Sequence, residues 1–119
     1  MAICNLQSRE LVFIGASNLI KLVPLSDAAN NVNLDMSGVT KVEVCVGAIE
    51  ADSDTLGDEI AWAEEAVGGV DKWVISLQVG LVPSIVVGEQ FMRVTVFDAN
   101  NTEGLVVTHD FPIDVIADC

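Results

Sequence analysis

Val42, Val44 and Val46 alternate with Lys41, Glu43 and Cys45 along TKVEVCVG (40–47). A period of two held over that length is the pattern of a half-buried strand. The alternation returns in KWVISLQVG (72–80), where Trp73, Ile75, Leu77 and Val79 share a face. PIDVIAD (112–118) repeats it with Ile113, Val115 and Ala117, and FMRVTVFDA (91–99) reads as a long strand. NNTEG (100–104) turns the chain and LVVTHDF (105–111) returns, so 94–107 spells a hairpin. ELVFIG (10–15) and NLIKLVPL (18–25) predict two more strands parted by Gly15–Ser17. Pro24 should mark an edge or an end, because it has no N–H to give a ladder.

Between these strands, SDAANNVNLDMSG (26–38) predicts a long turn-rich connection, since Asn, Asp and Ser bond their own backbone. EADSDTLGD (50–58) predicts an acidic loop and VPSIVVGEQ (82–90) a further connection. EIAWAEE (59–65) has two readings. Leu56, Ile60 and Val67 sit near helical spacing ahead of Gly68–Gly69, whereas Ile60 and Trp62 alternate with Ala61 and Ala63. The strand reading is adopted because strands flank it, and helix or strand over 54–67 stays open. Seven or eight short strands, with turns every ~8–12 residues, predict an all-β fold: an Ig-like antiparallel β-sandwich, with an OB-like barrel as the alternative. One domain is expected over 10–119, preceded by an amino-terminal arm or leading edge over 1–9.

Composition sharpens this. Of the 119 residues, 51% are hydrophobic but only 5% aromatic, with no Tyr. The apolar mass is largely aliphatic, and its β-branched share favours pleated surfaces. The absence of Tyr removes a tyrosine corner, and Cys4, Cys45 and Cys119 make neither an antibody-type disulfide nor a CxxC zinc motif. A mean hydropathy of +0.52 is high for a small domain and predicts apolar surface at an interface, hence self-association or docking on a larger assembly.

Five Lys and Arg face 18 Asp and Glu, a formal net charge of −13. Nucleic acid and anionic membrane surfaces are disfavoured as partners, because both demand a cationic footprint. The longest apolar stretches, LVFIGA (11–16) and LVPSIVVG (81–88), fall far short of the ~20 residues of a membrane-spanning helix, and the amino terminus lacks signal-peptide character.

Candidate chemistry is sparse. His109 and Asp110 are the one possible His–carboxylate pair, but neighbours on a strand point to opposite faces. No nucleophile, phosphate-loop or dinucleotide motif accompanies them, so no catalytic residue and no cofactor are expected. Asp52, Asp54, Asp58 and Glu59 offer hard oxygen ligands, yet the EF-hand pattern is broken at Leu56, ahead of Gly57, and a solvated loop is the simpler expectation. Trp62 and Trp73 predict core packing across a hairpin, with a sugar-stacking platform as the sharper alternative.

From position 38 the order of signals runs SGVTKVEVCVG, an isolated IAW, WVISLQVGL, IVVGEQFMRVTVFDANNTEGLVV and PIDV. This resembles small β-sandwich proteins encoded among bacteriophage structural genes. It is similar, more loosely, to the Ig-like amino-terminal domain of phage baseplate upper proteins. The resemblance implies a virion structural protein made in the host cytoplasm, with the major capsid protein or other virion proteins as partners. Capsid decoration is the leading expectation. A tail, baseplate or head–tail connector component, or a carbohydrate-binding module, is the alternative. It also implies that an edge strand such as ELVFIG or PIDVIAD adds to a partner's sheet.

Overall fold

The computed structural model describes residues 10–16, 19–27, 29–30 and 32–117. The proposed arm over 1–9, Cys4 and Cys119 lie outside these residues. So do the side chains of His109 and Asp110, whose pairing is therefore undescribed.

Among the described residues ten strands form: β1 (Glu10–Phe13), β2 (Leu19–Leu22), β3 (Leu25–Asp27), β4 (Val32–Asn33), β5 (Lys41–Val46), β6 (Ile49–Asp52), β7 (Ile60–Val67), β8 (Val70–Gln78), β9 (Gly88–Phe97) and β10 (Leu105–Ile116). A five-stranded sheet in the order β1-β10-β9-β5-β6 faces a three-stranded sheet in the order β2-β8-β7, and β3 and β4 make a small separate hairpin. The chain is thus an all-β sandwich, with more and shorter strands than the expected seven or eight. It is also not wholly antiparallel, because β1 runs parallel to β10.

The core lies between the two larger sheets. Val42, Val44 and Val46 of β5 meet Met92, Val94 and Val96 of β9, with Val12, Ile113 and Val115 beside them. Ile20, Ile60, Ile75 and Leu77 close it from the smaller sheet. Of these, Val42, Val44, Val46, Ile75, Leu77, Ile113 and Val115 are residues that the alternation placed on single faces. Burying them is the main favourable term in folding, at roughly 25 cal/mol per Å² of apolar surface.

The ambiguous stretch divides by residue. Ser53–Leu56 make one helical turn (α1), Gly57–Glu59 a 3₁₀ turn, and Ile60 onward strand β7. The strand reading therefore stands from 60, and the acidic loop is instead the end of β6 followed by these turns. The turn-rich connection over 26–38 contains the rest of the β3–β4 hairpin. Asn33 pins that hairpin to β8: its Oδ1 accepts from the Trp73 N–H at 2.7 Å, and its Nδ2 donates to the Trp73 carbonyl at 3.2 Å. A side-chain amide here replaces a paired strand, since β2 covers β8 only from Ile75 to Gln78.

PIDVIAD is not an edge. It is the second half of one long β10, held between β9 and β1. Pro112 fits there for a geometric reason. Phe91 lies opposite Pro112 but gives its carbonyl to the Gly47 N–H at 3.0 Å, on the β5 side. The Phe91–Pro112 pair is then a non-hydrogen-bonded one, and the N–H that proline lacks points away from β9. On that other side β1 pairs only from Ile113 onward, so no described ladder bond is lost.

Candidate interaction surface

The β5–β6 connection is a two-residue hairpin in which Val46 pairs with Ile49, and Gly47 occupies the first central position at φ 61°. That backbone suits glycine and matches the twist of the flanking strands. A Cβ on Gly47 would lie 2.5 Å from Gln90 Oε1, so the Gln90 side chain rests directly on the turn. Gln90 Nε2 also donates to the Val86 carbonyl at 3.1 Å, which ties the turn to the segment entering β9.

That segment is anchored from within. Val82 and Ile85 are buried, while Ser84 adopts φ 66°, a left-handed conformation that costs a non-glycine residue energy. The chain therefore reverses between two buried anchors and presents Val86 and Val87 outward, 57% and 55% exposed. Phe91, also 55% exposed, begins the outer face of the larger sheet beside Gly47. Three exposed apolar side chains, Val86, Val87 and Phe91, thus fall within six residues of chain and make the apolar tip of this segment. Exposed aliphatic and aromatic surface of this kind is what partner contacts use.

Next to the tip, a groove of about 390 Å³ is lined by Gly47, Glu50, Glu89, Phe91, Arg93 and the buried Cys45, among others. Cross-strand register gathers it, with Cys45 opposite both Glu50 and Arg93. The thiol lies 3.8 Å from Glu43 Oε1 and 3.8 Å from Glu50 Oε1, and Arg93 Nη2 donates to the sulfur at 3.6 Å. Burial pushes the Cys45 thiol up, opposed by the Arg93 hydrogen bond. Among the described residues, Glu43, Cys45 and Glu50 are the one group of three such side chains with ligand atoms within 4.8 Å of one another. A thiol held protonated beside a guanidinium is poorly set to ligate a cation.

The structure does not bring the carboxylates of Asp52, Asp54, Asp58 and Glu59 together. Asp52 caps α1 instead, its Oδ1 accepting the Thr55 N–H at 2.9 Å. That hydrogen bond, reinforced by the Thr55 hydroxyl, holds the Asp52 carboxyl below its ordinary value of 3.8. Asp52→Ala is expected to cost about 1 kcal/mol at neutral pH. A depressed carboxyl stabilises the fold fully above its unfolded value and loses that effect as pH falls through the lower folded one. Urea unfolding should therefore show a gap between wild type and variant at neutral pH that closes in strong acid. An equal gap at both would contradict the capping role.

Trp62 and Trp73 lie diagonally on one face of the β7–β8 hairpin, Trp62 opposite Ile75 and Trp73 opposite Glu64. Both are half-buried against the core cluster. The packing expectation holds, and neither ring forms an open stacking platform. Val86 and Val87 were not singled out from sequence, because alternation ranks buried faces and gives no sign of an exposed loop tip. Of Phe91 and Met92, which the resemblance places at a core position after Gly88, only Met92 is buried. The nearest signal was the apolar run IVV between Pro83 and Gly88 in a stretch read as a connection. Comparison of the chain with protein families, with curated proteins and with solved structures gives no match.

Proposed function

We propose that this chain is a non-enzymatic structural protein of a bacteriophage virion, a capsid decoration protein that docks on the major capsid protein through the Val86–Val87–Phe91 tip. The carrying observation is that tip: three exposed apolar side chains on a segment fixed by Val82, Ile85, Gln90 and the Gly47 turn. Its rigidity lowers the ordering cost of docking, which favours a repeated contact on a lattice. The order of motifs that resembles phage Ig-like sandwich proteins supplies the virion context. The net charge of −13 opposes non-specific clustering of the free protein in the host cytoplasm before assembly.

The test is cryo-electron microscopy of particles made with and without the gene. A regular array of density on the head, lost with the gene, is the expected result. Density lost only at the tail would favour the baseplate or connector class, and no lost density would defeat the virion reading. Within the expected outcome, Val86→Ser with Val87→Ser should weaken binding to gene-deleted heads by roughly tenfold or more, from lost apolar burial. Unchanged binding would move the contact elsewhere on the molecule.

A further inference from the structure

The smaller sheet ends in an edge that the docking role does not use. Four strands lie at the edges of the two larger sheets: β1, β2 and β6 of four residues each, and β7 of eight. β7 pairs with β8 residue for residue from Ile60 to Val67 without a register shift, and among the described residues nothing pairs with its other side. It contains no Pro, no Lys and no bulge, three of the devices that blunt an edge, and its charges are the two carboxylates Glu64 and Glu65. By contrast, β6 presents Glu50 and Asp52, and a second copy there would meet acid with acid.

Charge also singles out this sheet. Alternation and register place Leu19, Lys21, Ala61, Ala63, Glu65, Val67, Lys72 and the buried Val74 on its outer face. Lys21 Nζ meets Glu65 Oε1 at 2.7 Å across the central strand, and Lys72 lies opposite Glu65. In a chain of net charge −13, this face carries two cations against one carboxylate. Two copies can approach along this face without opposing acid to acid, provided the register keeps Glu64 and Glu65 of β7 from lying directly opposite their copies.

We infer that β7 pairs antiparallel with β7 of a second copy about a two-fold axis at Ala63, giving one continuous six-stranded sheet. In that register Ala63 faces the second copy's Ala63, Trp62 its Glu64, Ala61 its Glu65 and Ile60 its Ala66, so each carboxylate lies opposite an uncharged residue. The two Glu65 side chains are then four residues apart along the strands, about 13 Å, beyond the ~8 Å screening length at physiological salt. The two Glu64 side chains on the other face are diagonal neighbours about 7–8 Å apart, a repulsion that the backbone pairing must outweigh. Shifting the axis to Glu64 would set two carboxylates directly opposite and is disfavoured. The two-fold closes the contact, so β7 pairing ends at a dimer and not a fibre. This pairing is independent of the tip and of the virion reading.

Sedimentation equilibrium of the full chain tests it, over concentrations at which a micromolar dimer would be populated. Wild type should be dimeric. Ala63→Lys puts two like charges ~5 Å apart at the axis and should weaken the dimer by roughly tenfold or more, while lowering the global negative charge. Ser37→Lys makes the same charge change on an exposed turn remote in sequence from β7 and should leave the dimer intact. Because position 63 is exposed, the variant is expected to keep its far-ultraviolet circular dichroism. A monomeric wild type, or a dimer equally tight in Ala63→Lys, would overturn the inference.

Discussion

Ile75→Ala is expected to lower the unfolding free energy by about 2–5 kcal/mol, the largest effect of any substitution considered, and a large share of the ~5–15 kcal/mol that holds a small domain folded. Ile75 is fully buried at the centre of β8, flanked in register by Leu22 of β2 and Trp62 of β7. Strand residues on either side are fixed by ladders, so the wall around a deleted side chain cannot easily collapse. The lost transfer energy then adds to that of the cavity. Chemical denaturation followed through the fluorescence of Trp62 and Trp73, which pack on the same core, gives the value. A loss below about 1 kcal/mol would mean that the smaller sheet relaxes into the space, contrary to the close packing described here.

Gly104→Ala is expected to cost about 2–4 kcal/mol, from two causes acting together. Gly104 holds φ 99°, where an L side chain is strained, and an added Cβ would lie 2.6 Å from Thr95 Cγ2 and 3.0 Å from Phe97 Cε1. Thr95 is buried on the outer face of β9, so it cannot swing aside as a free surface side chain would. The hairpin itself should survive, because Asp98 accepts from the backbone of Asn100 and Asn101 and shapes the turn independently. A midpoint shift at unchanged m-value is therefore expected. Wild-type stability in the variant would show that the turn lifts away from Thr95 at little cost.

The parts of the fold that were legible in the sequence are those in which one face is buried and the other is not. TKVEVCVG announced β5 because Val42, Val44 and Val46 face the core while Lys41 and Glu43 do not. EIAWAEE was legible as a strand only from Ile60, since the preceding α1 is a single turn whose signal is one capping carboxylate at Asp52. β3 and β4 were hidden because short, polar strands carry too few apolar positions for a period to show. β9 begins three residues earlier than its apolar pattern does, since Gly88, Glu89 and Gln90 pair with β10 but supply no apolar side chain to extend the period. Position within a sheet was illegible: PIDVIAD alternates as an edge strand would, and only the parallel return of β1 makes it internal. The candidate surface was harder still. Its elements come from 47–50 and 82–93, and the bond from Gln90 to the Val86 carbonyl that unites them leaves no mark on composition or spacing.

The parallel pairing of β1 with β10 sets how the sandwich would bear load. A pull on the segments leading into β1 and out of β10 acts on these two neighbouring strands in opposite directions. Glu10 to Phe13 and Ile113 to Ile116 would slide past one another, with their cross-strand bonds strained together and not opened one by one like a zipper. Val12 and Val115 are buried at the same seam, so slippage must also drag two core side chains into water. A strand of only four residues is thus placed as a shear clasp, resisting tension applied through the ends of β1 and β10.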